Sequence, residues 1–223
     1  CQEGRASSEA LHNGGTECHA LDIIAATDGR INIASCAAAA LQSGYLAGLN
    51  AQDAVNFDLM DIVCGLQQRD GYSLVQHEAL PYGLRQAMAA CVRAGGNLLV
   101  SGAYVGSDAH SDEEQQFLRS VLKCEHVNTI ATTALQNIYG LGSQFSIQTD
   151  FAENKYRVSN TDCLAPTNEA FCAIVYQPSQ ECAAVAYQGT NYHAMTLGFP
   201  WESITDDNMR VALMRGIIKF LLP

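Results

Sequence analysis

Ser107, Asp108 and His110 stand in one short stretch, Ser107-Asp108-Ala109-His110, and Ser101 lies just ahead of it. A serine, an imidazole and a carboxylate are the parts of a nucleophile–base–orienter relay, in which the three must be hydrogen-bonded in series. Such relays are assembled from separate elements, whereas Ser107, Asp108 and His110 share a single loop. Ser101, Ser107, Asp108 and His110 are therefore expected to rim a ligand crevice without forming a triad. A hydrolase using Ser101 as a displaced nucleophile is the alternative. His193, beside Tyr192, reads as a packed or surface histidine.

The cysteines are nine, an odd number, with no CxxC pair and no Cys/His spacing typical of zinc. Alternating oxygen ligands for calcium are missing, as are GxxxxGK and GxGxxG phosphate loops, so neither metal nor cofactor is expected. Asp112-Glu113-Glu114 and Asp206-Asp207 read as the acidic starts of helices. Cys64, Cys91 and Cys182 sit in apolar runs, where a thiol behaves as a small buried hydrophobe. Cys1 and Cys18, in a polar opening, are the better disulfide candidates in an exported protein. A chain beginning at Cys1 also fits a lipoprotein acylated on that residue.

The charge balance excludes one class of partner. With 23 Asp+Glu against 12 Lys+Arg the net charge is −11, and no basic cluster offsets it. Nucleic acid, whose affinity comes largely from Lys and Arg displacing counterions, is not an expected partner. No apolar run reaches the roughly 20 residues of a membrane span.

These residues have to be positioned by a scaffold. Residues 1–20 read as a polar loop. Leu21–Thr27 and Arg30–Ala34 read as short apolar or alternating segments of strand type, followed by an Ala-rich helix from Ser35 to Gly44. Asn56–Gly65 has the apolar run and closing Gly of a buried strand. Pro81–Arg93 carries Leu84, Ala87, Met88 and Cys91 on one face at helical spacing, between Pro81 and Gly95-Gly96. Asn97–Ser101 is the next strand and 112–123 the next helix. From Phe145 to Gly198 several short strands separated by Asn, Asp, Pro and Gly suggest hairpins, and a helix from Asp206 or Asp207 to Leu221 closes the chain. Alternating β and α segments predict an α/β fold: a three-layer sandwich on a central, mainly parallel sheet with antiparallel strands added at an edge. The whole of 1–223 reads as one domain and as a portion of a larger protein.

Two segments carry a resemblance. Gly95-Gly96-Asn97-Leu98-Leu99-Val100-Ser101-Gly102-Ala103-Tyr104-Val105-Gly106-Ser107-Asp108 and Thr196-Leu197-Gly198-Phe199-Pro200-Trp201-Glu202-Ser203-Ile204, with the closing helix, resemble the flavodoxin-like, class I glutamine amidotransferase-like domain of exported bacterial proteins labelled xanthan lyase. Asp61-Ile62-Val63-Cys64-Gly65-Leu66-Gln67 fits the same pattern. Active members of that superfamily place a Cys at the centre of a Gly-x-Cys-x-Gly elbow and use a late His-Pro-Glu as base and orienter. Here the resemblance puts Gly102 and Gly106 around Tyr104 at the nucleophile position, and Pro200, Trp201 and Glu202 at the late motif. It thus implies a degenerate site and a non-catalytic accessory, binding or scaffold domain of an exported protein concerned with cell-wall or polysaccharide material. Its partners would be other domains of the parent chain and carbohydrate, for which Tyr104, Tyr139, Tyr192 and Trp201 would offer platforms around the strand ends. Trp201 is as well suited to plug the vacated site.

Overall fold

The structure is a computed structural model that describes residues 19–30, 57–72, 74, 76–147, 157–167, 169–204 and 206–223. Cys1, Cys18, residues 31–34 and the expected helix from Ser35 to Gly44 lie outside the described residues.

The core of the fold is a β-α-β unit. Strand β1 (Leu59–Gly65) and strand β2 (Asn97–Gly102) pair in parallel, with Asp61 opposite Leu99 and Val63 opposite Ser101. Between them runs a helix at Tyr82–Arg93, here α2. Pro81, with its φ fixed at −59°, opens it without sacrificing a hydrogen bond, and Gly95 at φ +92° turns the chain out of it. The apolar stripe Leu84, Ala87, Met88 and Cys91 is buried, as its spacing requires. At roughly 1.5–3 kcal/mol for each large apolar side chain removed from water, this face holds α2 on the sheet.

Residues 19–26, here α1, are helical. That corrects the strand expected at Leu21–Thr27. After β2 come α3 (Asp112–Phe117) and a π-helical turn, Leu118–Leu122. Ser111 caps α3 by accepting from the Glu114 N–H, and Glu114 reaches back to the Ser111 N–H in a capping box. The later strands are β3 (Cys124–Ala131), β4 (Asn137–Gly140), β5 (Ser143–Ser146), β6 (Asn160–Pro166), β7 (Phe171–Gln177), β8 (Cys182–Gln188) and β9 (His193–Leu197). The last helix, α4 (Asp207–Leu221), is capped by Asp206, whose carboxylate accepts from the Met209 N–H.

Among the described residues seven strands form one sheet in the order β1-β2-β9-β8-β7-β4-β5, and β3 and β6 form a separate antiparallel pair. Of the junctions among these described strands, β1/β2 and β2/β9 are parallel and the other four of the large sheet are antiparallel. The sheet is therefore mixed, and the expected flavodoxin-like three-layer sandwich on a mainly parallel sheet is not what the chain forms. The reason is the length of the connections. A parallel neighbour needs a crossover of a dozen or more residues, whereas Leu141-Gly142, Pro178 to Glu181 and Gly189 to Tyr192 allow only hairpins.

Two apolar clusters cover the two faces. Ile23 of α1 and Leu213, Met214, Ile217 and Leu221 of α4 pack with Leu99, Met195 and Leu197. Leu84, Met88 and Cys91 of α2, with Leu118 and Leu122, pack with Ile62, Leu98 and Val100. Among the described residues no helix is long and apolar enough to cross a membrane.

Candidate functional site

Because side chains alternate across a strand, Asp61, Leu99 and Ser101 share the sheet face that α1 and α4 cover. His19, on α1, points into that layer. Its Nε2 lies 3.1 Å from the Ser101 Oγ, and its Nδ1 lies 2.9 Å from the Asp61 Oδ2. In the neutral imidazole Nδ1–H donates to Asp61 and Nε2 accepts from the serine hydroxyl, which is the connectivity of a Ser-His-Asp relay. Burial opposes the imidazolium, but the adjacent Asp61 carboxylate, with Glu202 and Asp22 close by, outweighs it and raises the His19 pKa above its ordinary value.

The layer is closed. Ser101 is 0% exposed and His19 1%. The Trp201 ring, itself fully buried, lies 5.6 Å from the His19 ring, and its Nε1–H donates to Asp22 Oδ2 at 2.7 Å. Arg210 of α4 donates to the same oxygen at 2.7 Å. A polar belt thus ties α1 to β1, β2 and α4.

The loop after β2 is occupied by internal contacts. Asp162 of β6, fully enclosed, accepts from the backbone N–H groups of Gly106 and Ser107 at 2.7 and 3.0 Å. Tyr104 is half-buried, and burial pushes its phenol above its ordinary pKa against an opposing hydrogen bond from Asn160. Gly102 and Gly106 are glycines for packing: a Cβ on Gly102 would meet the Cys64 Cβ at 2.7 Å, and one on Gly106 the His126 Cβ at 3.0 Å. The Cys64 thiol, enclosed beside them, is pushed up to about 12 by burial and the neighbouring carboxylates.

The predicted crevice residues do not converge. Ser101 faces α1, while Ser107 turns to Asp162. Asp108 accepts from the N–H groups of Arg69 and Ala79, and the Arg69 guanidinium also donates to Glu114 at 3.0 Å. His110 is exposed and its N–H donates to Glu114. The space left among Arg69, Arg85, Asp108 and Glu114 is about 10 Å³, room for one water at most. Pro200 and Trp201 are buried, and Trp201, Glu202 and Ser203 form a 3-10 turn. Nor do the aromatic platforms gather. Tyr192, in the turn before β9, donates to the Val121 carbonyl at the opposite sheet end from Ser101, and Tyr139 belongs to the distant β4. Cys172 and Cys182 form a disulfide across the β7–β8 hairpin, so Cys182 is not the free buried thiol expected; Cys64 and Cys91 are buried thiols.

A second opening lies outside this layer. It is a mostly polar cavity of about 210 Å³ bordered by Gly106, Ser107, Gln115, Arg119, Glu125 and His126. Among the described residues no group of three or more His, Cys, Asp and Glu is placed to hold a metal ion.

No family model matches the chain, and no curated protein does. Among solved structures it is similar to the cytoplasmic protein STM3548 from Salmonella typhimurium, with a TM-score of 0.56 and 10% identity over 91% of this chain and 86% of that one. It is also similar to the cytoplasmic protein STM1381 from Salmonella typhimurium LT2, with a TM-score of 0.59 and 10% identity over 91% and 87%. A looser likeness, at a TM-score of 0.48 and 11% identity, covers 82% of this chain and 30% of the exo-beta-1,4-mannosidase Op5Man5 from Opitutaceae bacterium strain TAV5. At such identities the first two likenesses speak for the fold alone. With the mixed sheet, they overturn the resemblance to class I amidotransferases and to proteins labelled xanthan lyase, and two neighbours described as cytoplasmic give no support to export.

Proposed function

We propose that this chain is a non-catalytic binding and scaffold module in which the Ser101-His19-Asp61 array is a structural fastener. The observation that carries the reading is the enclosure of the array: Ser101 and His19 are 0% and 1% exposed, so no carbonyl carbon can approach the serine oxygen. A second feature agrees. The Gly106 and Ser107 N–H pair, an anion cradle on the loop that follows β2, holds the protein's own Asp162 carboxylate. The Cys172–Cys182 disulfide supports placing the module in an oxidising compartment, as an exported protein would be. Assays with p-nitrophenyl esters and peptide anilides test the reading; it expects no turnover above that of Ser101→Ala, and serine-dependent turnover overturns it.

One observation favours a second reading, a serine hydrolase. The 3.1 and 2.9 Å contacts join side chains from three separate elements in the order that such a relay requires. On that reading α1 must lift from the sheet to admit substrate, and Ser101 would be the nucleophile, His19 the base and Asp61 the orienter.

A further inference from the structure

We propose that the polar cavity beside the β2–α3 loop binds a small, neutral, polyhydroxylated molecule of monosaccharide size. This deepens the binding role proposed above and rests on it. The cavity holds about 210 Å³, which at roughly 30 Å³ per water is the room of about seven waters. That suits one small ring; drug-sized ligands take roughly 300–1,000 Å³.

The lining selects the chemistry. Arg119 and Glu125 both border the cavity, so an anion meets a carboxylate there and a cation meets a guanidinium. Gln115, whose amide nitrogen reaches the Ala109 carbonyl at 3.5 Å, keeps a second N–H and its oxygen, and the Ser107 hydroxyl, bonded to Asp162, keeps an acceptor lone pair. Hydroxyl groups, which both donate and accept, can meet donors and acceptors of this lining without a charge conflict.

An independent observation points to the same place. Asp162 is fully enclosed; its Oδ2 is taken by Gly106 and Ser107, while its Oδ1 has no hydrogen-bond partner among the described residues. That oxygen lies 3.6 Å from Nε2 of His126, which borders the cavity and whose Nε2 also lies 3.1 Å from Thr129 Oγ1. A ligand hydroxyl donating to His126 Nδ1 would hold the ring proton on Nε2, hydrogen-bonded to Thr129 Oγ1 and 3.6 Å from the unmatched carboxylate oxygen, an electrostatic contact beyond hydrogen-bond length. Binding at this imidazole thereby turns a positive ring edge toward a buried carboxylate oxygen that has no hydrogen bond of its own among the described residues.

Saturation-transfer NMR and titration calorimetry on the full chain test this, with D-glucose, D-galactose, D-mannose and myo-inositol as probes and sodium phosphate and methylammonium chloride as charged comparisons. At least one neutral probe should bind. His126→Ala and Gln115→Ala should each weaken it about tenfold, the scale of a lost hydrogen bond, while exposed Val127→Ala leaves it unchanged. Binding of none of the neutral probes, equal binding by the His126 and Gln115 variants with circular dichroism unchanged, or binding of a charged comparison alone would each overturn the proposal. Absence of sugar binding without ester or anilide turnover sinks this inference and leaves the non-catalytic reading intact. Turnover sinks that reading whatever the binding data.

Discussion

Replacing His19 with alanine removes the residue that joins α1 to both parallel strands. It leaves the Asp61 carboxylate, 17% exposed at the side chain, without its partner, and Ser101 without an acceptor. Breaking a buried pair from one side costs about 3–5 kcal/mol, and the residual exposure of Asp61 lowers this to about 3 kcal/mol. For a chain of 223 residues that is a fall in melting temperature of roughly 6–12 °C. The effect has a defined pH dependence. The folded pKa of His19 is raised, so the ionic share of its contribution is complete below the ordinary value of 6.5 and disappears as pH climbs through the raised folded value. The gap between wild type and His19→Ala should thus be widest near pH 5.5 and shrink toward the share due to neutral hydrogen bonds, about 1–2 kcal/mol, at pH 9. Urea denaturation at a series of pH values measures it. A loss below about 0.5 kcal/mol, or a gap that widens with pH, would refute the fastening role.

Other consequences are open to the same kind of measurement. Gly102→Ala should cost about 1–3 kcal/mol, read from urea midpoints, because its new Cβ meets the Cys64 Cβ at 2.7 Å. Burial works to raise the Glu114 pKa, but Arg69 and the Ser111 cap prevail and hold it at about 2. Its contribution is present above the ordinary carboxyl value of 4.5 and is lost as pH falls toward 2, so Glu114→Gln should cost about 2–3 kcal/mol at pH 7 and flatten acid unfolding between those limits. Cys172→Ser should lower stability by about 2–3 kcal/mol for its short loop. Dithiothreitol should then destabilise the wild type by a similar amount and leave the variant unmoved, with peptide mapping showing the Cys172–Cys182 link.

Much of the scaffold could be read from the chain. Pro81, Gly95 and the 3, 4, 7 stripe of α2 coincide with the helix found, and β1 and β2 are parallel neighbours. The mixed sheet was legible in principle, because two- and four-residue connections cannot carry parallel crossovers. The α1 helix was harder to see: its inward positions include His19 and Asp22 beside Ile23 and Ala26, so polar residues at helical spacing hid the buried face. One sign of the polar belt was available. Asp61 interrupts Leu59-Met60-Asp61-Ile62-Val63, and a carboxylate within an otherwise apolar strand calls for a partner. Its partner, 42 positions away on a segment taken for a loop, follows only from the packing. Similarly, Asp162 in the β6 strand gave no warning that it would occupy the loop around Tyr104.

The central claim is that Ser101 is enclosed and unreactive, and a fluorophosphonate probe addresses it most directly. Wild type and Ser101→Ala are incubated with a millimolar excess of the probe near pH 7.5 and analysed by intact mass and peptide mapping. The fastener account predicts no adduct on Ser101 while the chain is folded. A single adduct on Ser101 that vanishes in Ser101→Ala and in His19→Ala would contradict it and establish an active serine relay.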